Sequence, residues 1–124
     1  MIEYKVRVCD SGKKVWHLKG KLHREDGPAV EYADGYKSWY LNDKLHREDG
    51  PAVEWASGTK FWFLNGKLHR EDGPAEEWAS GAKFWHLNGK KVTEEEHKRR
   101  TSKVIEMTVA EISKALGKQV KVVE

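Results

Sequence analysis

Short stretches rich in Trp, Tyr, Phe and Val alternate with polar turn residues over the first 92 positions of the chain. Such stretches predict β-strands. The turns fall in two places: Asn65-Gly66 and Asn88-Gly89 in one, and Asp34-Gly35, Ser57-Gly58 and Ser80-Gly81 in the other. These pairs accept the positive φ of two-residue hairpin turns. The pattern therefore predicts a β-meander.

The octapeptide at 22–29, Leu-His-Arg-Glu-Asp-Gly-Pro-Ala, recurs unchanged at 45–52 and 68–75, which gives a repeat period of 23 residues. Units begin near positions 12, 35, 58 and 81, and the fourth unit breaks off after Lys90. One hairpin cannot shield its own tryptophans, so neighbouring units must share a core. We predict a mainly β array over 1–92, with a capping strand at 2–9, and a small α/β cap over 93–124.

A two-residue loop at Ser57-Gly58 would place Glu54 opposite Phe61 and Val53 opposite Trp62. One face would then carry Val53, Trp55, Trp62 and Leu64, with counterparts Val30, Tyr32, Trp39 and Leu41 in one neighbour and Glu76, Trp78, Trp85 and Leu87 in the other. We expect this face to be the buried core. Glu76, in place of Val, marks a weaker or more exposed edge.

The opposite face changes from unit to unit at the positions flanking each central Trp. These positions hold Val15, Ser38, Phe61 and Phe84 before it, and His17, Tyr40, Phe63 and His86 after it. Outward aromatic side chains beside Arg and Lys are what a binding surface needs. The alternative is a second packed face, covered by the C-terminal helix or by another copy of the protein.

The segment 93–96, Thr-Glu-Glu-Glu, is a capping box that predicts a helix to Arg100, which would cover the open edge of the array. A second capping box at 108–111 predicts another helix, followed by a strand over 118–123. That helix resembles the first helix of a helix-turn-helix. A strand follows where a recognition helix is required, so we do not expect duplex DNA binding.

Charge and composition narrow the function classes. The 23 Lys and Arg nearly cancel the 20 Asp and Glu, which also argues against duplex DNA. Cys9 is the single cysteine and cannot form an internal disulfide. The N-terminus has no secretory signal pattern, and no apolar stretch approaches the roughly 20 residues that span a bilayer. We expect a cytoplasmic protein that does not bind membranes.

The octapeptide contains His, Arg, Glu and Asp, which together resemble the groups of an active site. Their threefold repetition argues for a structural role, since a catalytic site needs one asymmetric arrangement. We expect Arg24 to pair with Glu25 or with a carboxylate of a neighbouring unit, and Asp26 to cap backbone amides in a turn. The series His23, His46 and His69 would be spaced by roughly 10 Å, too far to share an ion, so we expect no metal and no cofactor.

The 23-residue period, the aromatic-x-Leu-Asn-Gly-Lys turn and the Gly-punctuated hairpins of residues 12–92 resemble MORN-type repeats. The Leu-His-Arg-Glu-Asp-Gly-Pro-Ala variant resembles proteins encoded by tailed bacteriophages. The resemblance implies a hairpin array that serves as a protein-interaction or lipid-associated module without a shared reaction. His-Arg-Glu-Asp-Gly stands where a short His-Gly-x-Gly is usual, which weakens the inference of lipid binding.

We therefore expect a non-enzymatic, phage-encoded binding module in the bacterial cytoplasm. Its partner would be a host protein, such as a host-defence component, or a second copy of itself. The alternative is a sponge for a nucleotide immune signal, stacked on aromatic rings with its phosphates paired to the repeated Arg and His. An enzyme would require a unique pocket around His86 and His97. The candidate binding residues are His23, Arg24, His46, Arg47, His69, Arg70, His17, Tyr40, Phe61, Phe63, Phe84 and His86.

Overall fold

The computed structural model describes residues 2–102. Within them the chain is an antiparallel β-meander of hairpins followed by one short helix, as predicted. The elements are β1 (Lys5–Val8), β2 (Lys14–Leu18), β3 (Lys21–Leu22), β4 (Val30–Glu31), β5 (Lys37–Ser38), β6 (Tyr40–Leu41), β7 (Lys44–Leu45), β8 (Val53–Glu54), β9 (Lys60–Phe61), β10 (Phe63–Leu64), β11 (Lys67–Leu68), β12 (Glu76–Glu77), β13 (Lys83–Leu87), β14 (Lys90–Val92) and α1 (Glu94–Thr101). The second helix and the last strand predicted from the sequence lie outside the described residues.

The main sheet follows the order β1-β2-β4-β5-β8-β9-β12-β13-β14, with β3 paired to β2. The hairpins β6–β7 and β10–β11 form separate two-stranded ladders. Backbone hydrogen bonds join each hairpin to the next unit: the Arg24 N–H donates to the Tyr40 carbonyl at 3.1 Å, and the Asp43 N–H to the Leu22 carbonyl at 2.9 Å. Each unit thus contacts its neighbour through both ladders.

The two turn positions differ in conformation. Asn65 and Gly66 both have positive φ, at 51° and 79°, and Leu64 pairs directly with Lys67. This is the predicted two-residue turn. At the other position Gly58 has a φ of 99°, the Gly58 N–H donates to the Trp55 carbonyl and the Trp55 N–H donates to the Thr59 carbonyl, both at 3.0 Å. The loop therefore has three residues, 56–58, a common hairpin type with glycine in the left-handed region.

The extra loop residue shifts the strand register by one. Val53 pairs with Phe61 and Glu54 with Lys60, so the predicted pairing of Val53 with Trp62 is wrong. Because side chains alternate between faces, a shift of one residue moves a whole strand's side chains to the opposite face. Val53 and Trp55 therefore do not share a face with Trp62.

The two faces of the sheet differ in how much their residues change from one unit to the next. One face, here called the invariant face, carries a charge ladder and the central tryptophans: Lys14, Glu31, Lys37, Glu54, Lys60, Glu77 and Lys83, with Trp16, Trp39, Trp62 and Trp85. The other, the variable face, carries Val15, Val30, Ser38, Val53, Phe61, Glu76 and Phe84, and outside them Lys13, Tyr32, Tyr36, Trp55, Thr59, Trp78 and Ala82. Within the strands of the three complete units, every sequence difference falls on the variable face.

The core is smaller than the sequence predicts. Ala29, Ala52 and Ala75 are fully buried, and Val30 and Val53 are buried beside them. The central tryptophans are only half-buried. Tyr32, Trp55 and Trp78 are exposed at 43%, 37% and 43% of their surface. The predicted Trp/Leu/Val core face is therefore wrong as a unit, because the register shift divides it between the two faces.

Both ends of the described array are capped. The strand β1 is shorter than the predicted 2–9 but pairs with β2 in the expected place. At the other end Thr93 is the N-cap of α1, and its Oγ1 accepts from the Glu96 amide at 3.1 Å. The Glu96 carboxylate lies near Arg99 and Arg100, so the return contact from Glu96 to the Thr93 amide that a capping box predicts is not formed. None of the described helical residues forms a span long and apolar enough to cross a membrane.

Candidate functional site

The arginine of each octapeptide stacks on the central tryptophan of its own unit. The guanidinium carbon of Arg47 lies 3.9 Å from the Trp39 ring centroid. Its Nε donates to Asp49 Oδ1 at 3.0 Å and its Nη1 to the Pro51 carbonyl at 3.1 Å. Glu54 Oε1 lies 3.7 Å from Arg47 Nη1 and forms an ion pair with it. Such desolvated cation–π contacts contribute about 0.5–2 kcal/mol each.

The other two arginines repeat this arrangement, with Arg24 on Trp16 at 3.8 Å and Arg70 on Trp62 at 3.9 Å. The predicted pairing of Arg24 with Glu25 is wrong, since Arg24 contacts Asp26 and Glu31 of its own unit. Asp26 accepts from the Arg24 Nε at 2.9 Å, which replaces the backbone-amide role we expected for it. In the third unit the hydrogen bond from Arg70 lowers the pKa of Asp72 below its usual value.

The histidine of each octapeptide joins one unit to the next. The Nδ1 atoms of His23, His46 and His69 accept the backbone N–H groups of Asn42, Asn65 and Asn88 respectively, each at 2.9 Å. The ring must therefore be unprotonated at Nδ1 in all three. The Nε2 atom points towards the following glutamate at 3.8–3.9 Å. These histidines act as inter-unit links.

The small residues of the octapeptide make room for these contacts. A Cβ added at Gly50 would lie 2.9 Å from the Arg47 guanidinium carbon, and Ala52 is completely buried. A Cβ added at Gly27 would lie 2.8 Å from the Arg24 guanidinium carbon, and one added at Gly73 would lie 3.0 Å from that of Arg70. His, Arg, Asp, Gly, Pro and Ala of the octapeptide thus each have a contact that the fold requires, whereas the glutamates Glu25, Glu48 and Glu71 are exposed.

Grooves lie between successive octapeptide loops on the invariant face. The first has a volume of about 570 Å³, with Trp39 and Leu41 in its lining, and the second about 530 Å³, with Trp62 and Leu64. Their rims carry the exposed carboxylates Glu25, Asp26, Glu48, Asp49, Glu71 and Asp72. The arginines beside them are about 20–24% exposed and already paired. A phosphate there would meet carboxylates before it met a free guanidinium.

Across residues 2–102, no group of three or more His, Cys, Asp or Glu side chains is arranged to hold a metal ion. The three octapeptide histidines instead accept backbone hydrogen bonds.

The variable face carries a continuous aromatic row, made of Tyr32, Tyr36, Trp55, Phe61 and Trp78. Successive ring centroids are 5.0, 5.8, 4.9 and 5.2 Å apart. These separations are typical of packed aromatic pairs, three of which meet edge to face. The row runs from the first unit to the third and reaches solvent through Tyr32, Trp55 and Trp78.

The predicted aromatic stripe overlaps this row only in part. Phe61 belongs to it, and the Phe63 ring lies 6.5 Å from Phe61. Phe84 is half-buried under the ammonium of Lys91 at 4.3 Å. Tyr40 is half-buried, and burial, with Tyr36 as the next cause, raises its pKa. Ser38 is buried at 1% exposure.

His86 is buried and paired. Its Nε2 donates to Glu76 Oε2 at 2.5 Å, while Glu76 Oε1 accepts from the Trp78 indole at 3.2 Å. Glu76 is therefore a half-buried hydrogen-bonded residue and not the exposed core edge that we expected. His97, buried in α1, donates to the Arg70 carbonyl.

His17 lies in a different setting, at the N-terminal end of the variable face. With Glu3, Lys5, Arg7, Lys19 and Gly20 it lines a groove of about 530 Å³. This groove was not predicted from the sequence. Lys5 and Arg7 alternate on β1 and pair with His17 and Val15 on β2, so their shared face follows once these two strands are paired. Sequence analysis also missed the exposure of Tyr32, Trp55 and Trp78, which depends on the loop length.

Comparisons of the chain with protein-family models, with curated proteins and with solved structures gave no match.

Proposed function

We propose that the chain is a non-enzymatic docking module whose variable face binds a partner protein. One observation carries the proposal: the strands of the three complete units differ only on this face. Residues that hold the array together must be the same in every unit, whereas residues that recognise an asymmetric partner need not be. The exposed aromatic row lies on the same face, and exposed Trp and Tyr are the residues most enriched at binding hot spots.

The octapeptide supports the non-enzymatic part of this proposal. Its histidine nitrogens Nδ1 accept backbone amides and its arginines stack on tryptophan, so neither group is available as a general base or an oxyanion clamp in the first two units. His86 is held by Glu76. The resemblance to phage-encoded repeats makes a bacterial host protein, a component of host defence included, the partner class to search first.

The nucleotide sponge is supported less well. It needs free guanidinium groups near exposed rings, but Arg24, Arg47 and Arg70 are paired with carboxylates and carbonyls. The rims of the neighbouring grooves carry carboxylates as well. A nucleotide would bind there only after breaking contacts that stabilise each unit. We therefore favour a protein partner over a nucleotide.

The test is a quantitative pull-down from bacterial lysate with the full chain as bait. Trp55→Ser/Trp78→Ser removes two of the three exposed rings of the aromatic row. Glu25→Gln/Glu48→Gln is the matched control on the invariant face, since both side chains are exposed. Thermal unfolding first establishes that both variants fold.

We expect at least one protein that the wild type and the control retain and the tryptophan variant loses. A protein retained by the tryptophan variant but lost with the glutamate variant would move the docking surface to the invariant face. If no retained protein distinguishes the wild type from the tryptophan variant, the proposal fails.

A further inference from the structure

The N-terminal end of the variable face concentrates positive charge. Lys5, Arg7, His17 and Lys19 line the groove of about 530 Å³, here called the basic groove, with Glu3 as its acidic member. Among residues 2–102, Lys5, Arg7 and Lys19 form no ion pair. The near balance of charge over the whole chain therefore conceals a local excess.

The basic groove and the aromatic row lie on one face. Arg7 pairs with Val15 across β1 and β2, and Val15 pairs with Val30 across β2 and β4. Paired residues point to the same side of a sheet, as do residues two apart on one strand. Lys13 adds a further cation where the row begins, since its Nζ lies 5.1 Å from the Tyr32 ring centroid.

The distribution of charge along the aromatic row distinguishes between a nucleic-acid strand and a ligand that is acidic at one end. Beside the middle of the row, Tyr32, Asp34, Tyr36, Trp55, Ala56 and Ser57 line a cleft of about 440 Å³. The charged member of that cleft is the Asp34 carboxylate. A single nucleic-acid strand carries a phosphate with each nucleotide and needs cations along its whole track. Here the cations cluster at one end, with Lys91 over Phe84 further along the sheet, which favours a ligand that is acidic at one end and apolar beyond it.

We infer that the variable face binds an extended segment of a partner protein whose acidic end occupies the basic groove and whose apolar side chains pack on the aromatic row. The inference rests on the proposed docking function and names the chemistry of the partner. Aspartate and glutamate side chains pair with Lys5 and Arg7. Aromatic and aliphatic side chains cover Tyr32, Trp55 and Trp78. The acidic end sets the orientation of the segment on the sheet, because the groove lies at the N-terminal edge of the face and the row runs away from it across the units.

The experiment selects peptides from a random display library, with inserts of about 12 residues that would span about 40 Å when extended, on the immobilised full chain. Affinities of the selected peptides are measured by fluorescence anisotropy at low and at high salt. Three variants are compared with the wild type: Trp55→Ser in the row, Lys5→Glu/Arg7→Glu in the groove, and Lys98→Glu/Arg99→Glu in α1. The last changes net charge by the same amount at exposed positions outside both features.

We expect the selected peptides to carry Asp or Glu at one end and apolar residues beyond it. The groove variant should weaken binding about tenfold at low salt, by an amount that shrinks at high salt as the charges are screened. Trp55→Ser should weaken binding at both salt concentrations, and the α1 variant should change it less than about twofold.

Each other outcome contradicts the inference in a distinguishable way. Peptides that need Trp55 but are neutral or basic, and bind the groove variant normally, would overturn the acidic partner and leave docking through the variable face intact. If the selected peptides bind the groove variant and the Trp55→Ser variant as tightly as the wild type, or if the selection enriches no peptide, both proposals are overturned. Saturable binding of a fluorescent oligothymidylate that is lost in the groove variant would assign the face to single-stranded nucleic acid instead.

Discussion

His86 Nε2 donates to Glu76 Oε2 at 2.5 Å, and one repeat earlier the equivalent positions hold Phe63 and Val53. The His86 side chain is 8% exposed and the Glu76 side chain 15%, so both are largely shielded from solvent. The two equivalent positions are therefore apolar at one junction between units and hydrogen-bonded to each other at the next. A buried carboxylate or imidazole that loses its partner retains its desolvation cost.

This relationship predicts strong coupling between the two sites. Glu76→Val alone and His86→Phe alone should each lower the free energy of unfolding by about 2–4 kcal/mol, because each leaves one polar group buried without its partner. The double variant places the residues of the preceding junction at both positions and should lie within about 1 kcal/mol of the wild type. Urea unfolding of the four proteins gives the coupling energy. Additive losses would show that the two side chains do not act as a pair.

A second prediction concerns Gly50, where an added Cβ would lie 2.9 Å from the Arg47 guanidinium carbon. Gly50→Ala should cost about 1–3 kcal/mol by displacing the guanidinium from Trp39. In an Arg47→Ala background the same substitution should be neutral or stabilise by about 0.5 kcal/mol, because Gly50 does not need the left-handed region.

Gly58→Ala is the comparison for Gly50. Its φ is 99° and it has open space around it, so alanine there is strained by the backbone alone. The loss should be the same, about 1 kcal/mol, with or without Arg47. If Gly50→Ala behaved like Gly58→Ala in both backgrounds, contact with the guanidinium would not be the reason for glycine in the octapeptide.

Much of the scaffold can be predicted from the sequence, because the same turn and strand pattern occurs in three complete units. The period, the hairpins, the two-residue turn at Asn65-Gly66 and the Thr93 cap were predicted and are confirmed. These features depend on local chemistry: a positive φ, a side-chain oxygen at a helix start, and alternation of apolar residues.

The faces could not be predicted, because they depend on one residue in one loop. Ser57-Gly58 is compatible with a two-residue turn and with the last two positions of a three-residue loop, and the choice decides which side of the sheet Trp55 occupies. The contacts of Arg47 were beyond sequence analysis for a different reason. It stacks on Trp39, which lies outside the octapeptide and meets Arg47 only in the folded unit.

The third prediction concerns the inter-unit links. His46→Ala removes the acceptor of the Asn65 amide and should lower stability by about 1–3 kcal/mol. Hydrogen exchange at that amide should become faster than at amides of the same ladder. Glu48→Gln, an exposed neighbour, should change stability by less than about 0.5 kcal/mol. An unchanged exchange rate at Asn65 in the alanine variant would show that the histidine does not hold this junction.

The fourth prediction concerns pH. The hydrogen bond from Arg70 lowers the pKa of Asp72 below its usual 3.8, so the folded state binds its proton less readily than the unfolded state does. The stabilisation from this carboxylate is fully present above pH 3.8 and is lost as pH falls through the lower folded-state pKa. Asp72→Asn should therefore be less stable than the wild type at neutral pH, and this difference should shrink in acid. A difference that does not change with pH would refute the assignment.

The His46 link accepts a main-chain N–H, and the residue that donates it is Asn in all three junctions. The accepting histidine and the donating asparagine both belong to the repeat, so every complete unit after the first carries both halves of the junction. Duplication of any 23-residue unit would reproduce the junction at both of its ends and lengthen the sheet by two strands, or roughly 10 Å. New partner surfaces can then arise by point changes on one side of the sheet, while the side that joins the copies is inherited unchanged.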